Sequence, residues 1–229
     1  MADLAVKVPR RSLEGGASPG PRRIISRPYR GFGEVSPMQI IDASYHPNDV
    51  HGYSVYGLIL AAPEPIASRV QRLRDQLRPA WPMFQAHVTA LGTFCEIESV
   101  DRVCEQVAGV VAGTGALTMT PTGEIWGSPD GLLLSTARIE VTPELQSLHD
   151  RLARAVLPTA TYAYHDPADY HPHLTYSQRI PESAKKLGTR LVAEFDLEEF
   201  TVDRLSLTGR VGTGPDGERR VIREFPFTG

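Results

Sequence analysis

Two histidines of this chain, His87 and His173, each stand two residues before a threonine, in His87-Val88-Thr89-Ala90 and His173-Leu174-Thr175-Tyr176. Both tetrads alternate polar and apolar residues, the pattern of a half-buried β-strand in which residues i and i+2 share a face. Each tetrad thus offers an imidazole and a hydroxyl side by side on a rigid element. An imidazole changes charge near neutral pH, so one ring can start neutral and its partner protonated. Two such pairs facing each other across a groove would supply a general base, a general acid and two neutral donors to charged oxygens. That set suits cleavage of a phosphodiester without a metal ion.

A single His-x-Thr carries little information, because chance supplies about half a match in a chain with seven histidines. The spacing carries more. His173 lies 86 residues after His87, and the turn Gly214-Pro215-Asp216-Gly217 lies 86 after Ser128-Pro129-Asp130-Gly131. Upstream, Gln71-Arg72-Leu73-Arg74-Asp75-Gln76-Leu77 aligns with Gln146-Ser147-Leu148-His149-Asp150-Arg151-Leu152 at an offset of 75. The difference is an insertion just before the second tetrad. The chain reads as a degenerate duplication with one tetrad in each half.

The elements that must position the tetrads follow from local pattern. Residues 53–61 are aromatic, β-branched and aliphatic, a strand ended by Pro63 and Pro65. Apolar residues at 66, 70, 73 and 77 mark a helix that Pro79 stops. The first motif strand spans 84–94 and a helix spans 97–111, up to Gly113-Thr114-Gly115. Residues 117–126 and 131–139 form a hairpin. Thr142 as N-cap and Pro143 at the first helical position open a helix to about 156. Residues 158–171 read as an irregular loop, followed by the second motif strand (172–179), a helix (181–193) and a hairpin of 198–210 with 218–227. The expectation is an α+β fold: a bilobal, pseudo-duplicated structure with two mainly antiparallel sheets flanking a central cleft and helices outside.

Residues 1–37 are rich in Gly, Pro, Ser and Arg, too poor in apolar residues to offset their ordering entropy. They are expected to be a disordered basic arm, with 38–51 as linker and 52–229 as the folded domain. The arm's positive charge would suit a polyanion. The whole chain, 229 residues with net charge −3, has no general pull toward nucleic acid. No apolar run reaches membrane-spanning length and no signal-like segment opens the chain, so no membrane partner and a cytoplasmic location are expected. Cys95 and Cys104 read as reduced, partly buried thiols that fit that compartment.

The pair of tetrads in a duplicated frame resembles the two-histidine (2H) phosphoesterase superfamily, with its 2′-5′ RNA ligase-like and cyclic phosphodiesterase members. The resemblance covers about residues 52–229 and includes Pro172 before the second tetrad. Ala90 and Tyr176 stand where leucine is frequent in relatives. The resemblance implies a metal-independent phosphodiesterase with no cofactor, acting on RNA 3′-ends or small cyclic nucleotides, often at a 2′,3′-cyclic phosphate. It implies His173 as base and His87 as acid, with Thr89 and Thr175 on the non-bridging oxygens.

Strand periodicity adds Arg179 to the face of His173 and Thr175, within reach of a phosphate. Tyr164 and Tyr170, in the polar loop, are the aromatic side chains placed to stack on a base. Two other readings stay open. His165, His171 and His173, with carboxylates nearby, have spacing that could hold zinc, which would make a metallohydrolase. A duplicated fold that kept its groove without catalysis would be an RNA- or nucleotide-binding module.

Overall fold

The computed structural model of the chain describes residues 5–7, 39–40, 48–77, 83–126, 133–163, 170–178, 185–212 and 217–229. Two short strands come first, β1 (Ala5–Lys7) and β2 (Gln39–Ile40). The first repeat runs β3 (Val55–Ala61), α1 (Ile66–Leu77), β4 (His87–Ile97), α2 (Val100–Val111), β5 (Leu117–Met119) and β6 (Pro121–Trp126). The second repeats that order as β7 (Leu133–Ile139), α3 (Pro143–Val156), β9 (His173–Gln178), α4 (Lys185–Glu194), β10 (Phe200–Val202) and β11 (Arg204–Val211), and β12 (Glu218–Pro226) closes the chain. One extra strand, β8 (Ala160–Ala163), interrupts the second copy. The duplication seen in the residue offsets is a duplication of elements.

The helices begin and end where their side chains dictate. Thr142 Oγ1 accepts from the Leu145 amide at 3.2 Å, with Pro143 in the first turn of α3. Ser99 caps α2 in the same way through the Arg102 amide. Gly113, at φ 75°, takes the left-handed turn that stops α2, a conformation that costs a side-chain-bearing residue about 1 kcal/mol or more. α1 buries Ile66, Val70, Leu73 and Leu77, the stripe expected from its spacing.

The large sheet has ten strands in the order β1-β6-β7-β9-β4-β3-β11-β12, with β8 on β4 and β2 on β8; β5 and β10 pair separately. The α+β class and its two related halves are as the sequence implied. The halves are not separate sheets, however. They meet at β4 and β9, which share one described register pair, Val88 opposite Leu174. Val88, Ala90, Leu174 and Tyr176 belong to the core with Leu58, Leu60, Leu205 and Leu207. Helices cover this face crosswise: α1, from the first half, packs on β9 and α4, whereas α3 packs on β4 and α2.

Several boundaries differ from the sequence reading, among them residues 39–40 of the expected linker, which pair with β8. Residues 160–163, expected to lie in a loop, form β8 antiparallel to the end of β4, with Phe94 opposite Ala163 and Ile97 opposite Ala160. This pairing satisfies backbone groups that would otherwise limit β4, which therefore runs to Ile97 rather than to 94. Within the segment expected to be an arm, residues 5–7 pair with β6, Ala5 opposite Trp126. The rest of residues 1–37 lies outside the described residues.

Candidate active site

The single pair Val88–Leu174 sets the geometry of the four motif side chains. In an antiparallel ladder that register puts His87 across from Thr175 and Thr89 across from His173, all on the face opposite the core. The tetrads do not confront one another from two separate sheets. They lie edge to edge on adjacent strands. The histidines occupy one diagonal of a four-cornered plate and the threonines the other, each diagonal about 7–8 Å long. A phosphate at its centre has an imidazole on each side and a hydroxyl at each remaining corner, the arrangement an in-line displacement requires.

Both rings are held alike. His87 Nδ1 lies 2.6 Å from the Gln85 carbonyl oxygen, and His173 Nδ1 lies 2.8 Å from that of His171. A carbonyl only accepts, so each Nδ1 carries the proton and each Nε2 is left for chemistry. His87 is moved out of the ordinary imidazole range. Burial, then the positive charges of Arg219 and Arg74 and the neighbouring His173, lower His87 to about 4 against the pull of the Gln85 carbonyl. At neutral pH His87 is a neutral ring with a free Nε2, the state of a general base.

Behind the plate, each half braces the other's tetrad. Arg74, on α1 and almost wholly buried, donates from Nη2 to Thr175 O (2.8 Å), from Nε to Tyr176 O (3.1 Å) and from Nη1 to Phe84 O (2.7 Å). His149 holds the equivalent place on α3. Its Nδ1 lies 2.7 Å from Ala90 O, and its ring stacks on Tyr170 at 3.9 Å, whose hydroxyl donates to Thr89 O at 3.1 Å. The carbonyls of the third and fourth tetrad residues are thus satisfied in both halves, by one guanidinium in the first case and by an imidazole and a phenol in the second. Burial lowers Arg74 to about 10, which leaves it cationic at neutral pH. Even the helix surfaces match: Gln71 donates to Asp75 and Gln146 to Asp150, both at 2.8 Å.

These contacts revise the role expected of Tyr170. In place of an exposed base-stacking residue stands a ring with one face on His149 and its hydroxyl engaged with β4. Tyr164 and Arg179 lie outside the described residues, as does His165 of the zinc reading. Among the described residues, no group of three His, Cys, Asp or Glu side chains is placed to hold a metal ion. Cys95 and Cys104 are free and buried, and burial pushes the Cys95 thiol up to about 11, away from nucleophilic chemistry.

Sequence reasoning does not single out Arg74, His149, Arg138 or Arg219. The repeat alignment sets Arg74 against His149, so the signal for the braces is present in it. Arg138 lies opposite His173 on β7 and its Nη1 pairs with Glu124 at 3.2 Å. Arg219, on β12, is found only through the register of three strand pairs.

A family model described as the 2′-5′ RNA ligase superfamily matches residues 62–214, which include both tetrads and both braces. The chain belongs to the 2′-5′ RNA ligase superfamily. Solved structures of the same fold include TT0787 of Thermus thermophilus, at 15% identity, TM-score 0.51, covering 76% of this chain and 98% of that one. LigT of E. coli in apo form matches at 11% identity and TM-score 0.50, covering 76% of this chain and 97% of that one. A protein described as a phosphoesterase matches at 12% identity and TM-score 0.50, over 76% of this chain and 99% of that one. No curated protein matches. No helix among the described residues is long and apolar enough to cross a membrane.

Proposed function

We propose that this protein is a phosphodiesterase that hydrolyses a 2′,3′-cyclic phosphate, at an RNA end or on a nucleotide, by acid–base catalysis between His87 and His173. The observation that carries this reading is the plate itself: two Nδ1-anchored imidazoles on one diagonal and two hydroxyls on the other. In the proposed reaction His87 Nε2 takes a proton from water as the oxygen attacks phosphorus. His173 gives a proton to the ribose oxygen that leaves opposite, and the ring opens to a phosphomonoester. Thr89 and Thr175 donate to the non-bridging oxygens, where charge gathers in the transition state. This reverses the roles implied by resemblance, because burial and nearby cations disfavour a proton on His87. The chemistry needs no metal, and the two reduced thiols fit a cytoplasmic setting.

The direct test offers the purified protein a panel of nucleoside 2′,3′-cyclic phosphates, an oligonucleotide ending in one, and a 2′-5′ linked dinucleotide, with excess chelator throughout. Ring opening of the cyclic phosphates is expected. Loss of turnover in chelator with rescue by zinc would favour the metallohydrolase reading. Binding without turnover of any panel member would favour a nucleotide-binding module.

A further inference from the structure

The site face of the sheet continues well past the two tetrads. Thr89 is opposite Ile59 on β3, and Ile59 is opposite Ser206 on β11. Two residues along the same strands, Gly57 is opposite Thr208, and Thr208 is opposite Val221 on β12. Two further along β12 stands Arg219. Paired residues share a face and so do residues i and i+2, so Arg219 projects from the same face as His87 and Thr89. Its Nη1 donates to Thr208 Oγ1 at 2.9 Å, and a Cβ at Gly57 would lie 3.0 Å from that same nitrogen. The guanidinium therefore reaches back over β11 to lie above Gly57. Gly57 is diagonal to Thr89 across the β3–β4 pair, about 7–8 Å away.

This cation is placed against electrostatic preference. Arg219 lies directly opposite Arg210, and like charges on facing positions of neighbouring strands destabilise a sheet. Arg210 Nε donates to Ser54 Oγ at 3.2 Å. Arg138 on the other flank has Glu124, whereas the one described hydrogen bond of Arg219 goes to a neutral hydroxyl, and no ion pair to it occurs among the described residues. Burial and Arg210 lower Arg219 to about 10, so it stays charged at neutral pH. A partly buried guanidinium, beside a second one and with no carboxylate paired to it among the described residues, is arranged to receive an anion.

We propose that Arg219 binds a second phosphate of the substrate, next to the scissile one, so that the preferred substrate is an RNA end of more than one nucleotide rather than a lone cyclic nucleotide. This rests on the phosphodiesterase reading above and narrows it. Gly57 is part of the device, because any side chain there crowds the guanidinium. The scissile phosphate sits on the plate, and the internucleotide phosphate that precedes the terminal nucleoside lies over Gly57.

The test compares a nucleoside 2′,3′-cyclic phosphate with a dinucleotide ending in the same group, using unaltered protein, Arg219→Gln and Gly57→Ala, at a pH above the acid limb of each. Arg219→Gln should lower kcat/KM on the dinucleotide about 10–100-fold more than on the mononucleotide, the worth of one charge-assisted contact. Gly57→Ala, which keeps the charge but crowds Nη1, should give a smaller loss of the same kind. Equal losses on both substrates would place Arg219 at the scissile phosphate and overturn the proposal, as would no loss on either. Calorimetric binding of a nucleoside 3′-monophosphate and a dinucleotide with a 3′-terminal phosphate makes the same comparison without turnover. If the dinucleotide gains no affinity from Arg219 there, this inference fails. If it does gain affinity yet neither cyclic substrate is opened, the hydrolytic reading fails instead.

Discussion

Arg74 and His149 occupy the same place in two copies of one repeat and solve the same problem with different chemistry. Each must supply donors to the carbonyls behind a tetrad where the two halves share a single described strand pair, and an unmet buried acceptor costs about 1–3 kcal/mol. Arg74 does this alone, with three nitrogens on three carbonyls and a charge held in the core. His149 supplies one donor, and Tyr170, from the residues just before the second tetrad, supplies the other. The first solution is rigid and cationic, and its charge helps to keep the His87 ring neutral. The second uses an imidazole and a phenol in place of a guanidinium. The halves are symmetric in geometry and asymmetric in charge, and burial together with the charges of Arg219 and Arg74 holds His87 below the ordinary imidazole range.

The largest test of this comparison is chemical. If both imidazoles serve one transition state, His87→Ala, His173→Ala and the double variant should fall to a common floor, about 10²–10⁴-fold below the unaltered protein in kcat. Near-normal turnover of His87→Ala beside an inactive His173→Ala would break the pairing. Thr89→Ala and Thr175→Ala should cost less, about 10–10³-fold each, and by similar factors if the diagonals are equivalent.

The braces should separate the halves by stability. Arg74→Met leaves three carbonyls without donors in the core and should lower stability by about 3–5 kcal/mol, read as a fall in Tm of order 10 °C. His149→Phe leaves one carbonyl unmet but can keep a ring against Tyr170, so about 1–2 kcal/mol is expected. Equal effects in thermal melts would mean that the guanidinium is no better a brace than the stacked pair.

A smaller effect sharpens the electrostatic side. His87 sits at about 4 in the folded chain and near 6.5 when unfolded. Between those values the unfolded chain binds more protons, so stability is fully present above pH 6.5 and declines as pH falls toward 4. Melting curves across this window should show the decline, and His87→Gln should flatten it. The acid limb of kcat/KM should likewise lie near 4, as a property of the coupled pair. In Arg74→Met, if it folds, that limb should move upward, because one of the charges that disfavours protonation is gone. Smallest of all, removal of residues 1–37, which among the described residues takes only the edge strand β1 from the sheet, should leave turnover of a small cyclic nucleotide unchanged. A large fall in turnover would show that the pairing of β1 with β6 supports the plate.

The sequence carries the parts of this site that depend on local period. His87, Thr89, His173 and Thr175 share a face because a strand alternates, and the Thr142 cap and the Gly113 stop follow from turn chemistry. It does not carry register. That Val88 meets Leu174, and hence that the tetrads are neighbours in one sheet, depends on pairing across 86 residues. Arg219 is hidden for the same reason, since its link to Thr89 runs through β3 and β11. Tyr170 is misplaced by pattern alone because a polar, Pro-rich context reads as surface, whereas its ring completes a brace whose other member lies on α3. The strand at 160–163 escapes the sequence reading because β4, already paired with β3, offers its far end as a second template.

The crossed helices make each half incomplete without the other. α1 lies on the strand of the other half, and α3 returns the exchange. A single repeat would therefore leave its own tetrad strand unbraced and its helix without a sheet. Two copies that exchange helices complete each other, as the subunits of a closed twofold dimer do, here within one chain. Because the two copies are covalently joined, the braces at 74 and 149 need not be alike, and they are not.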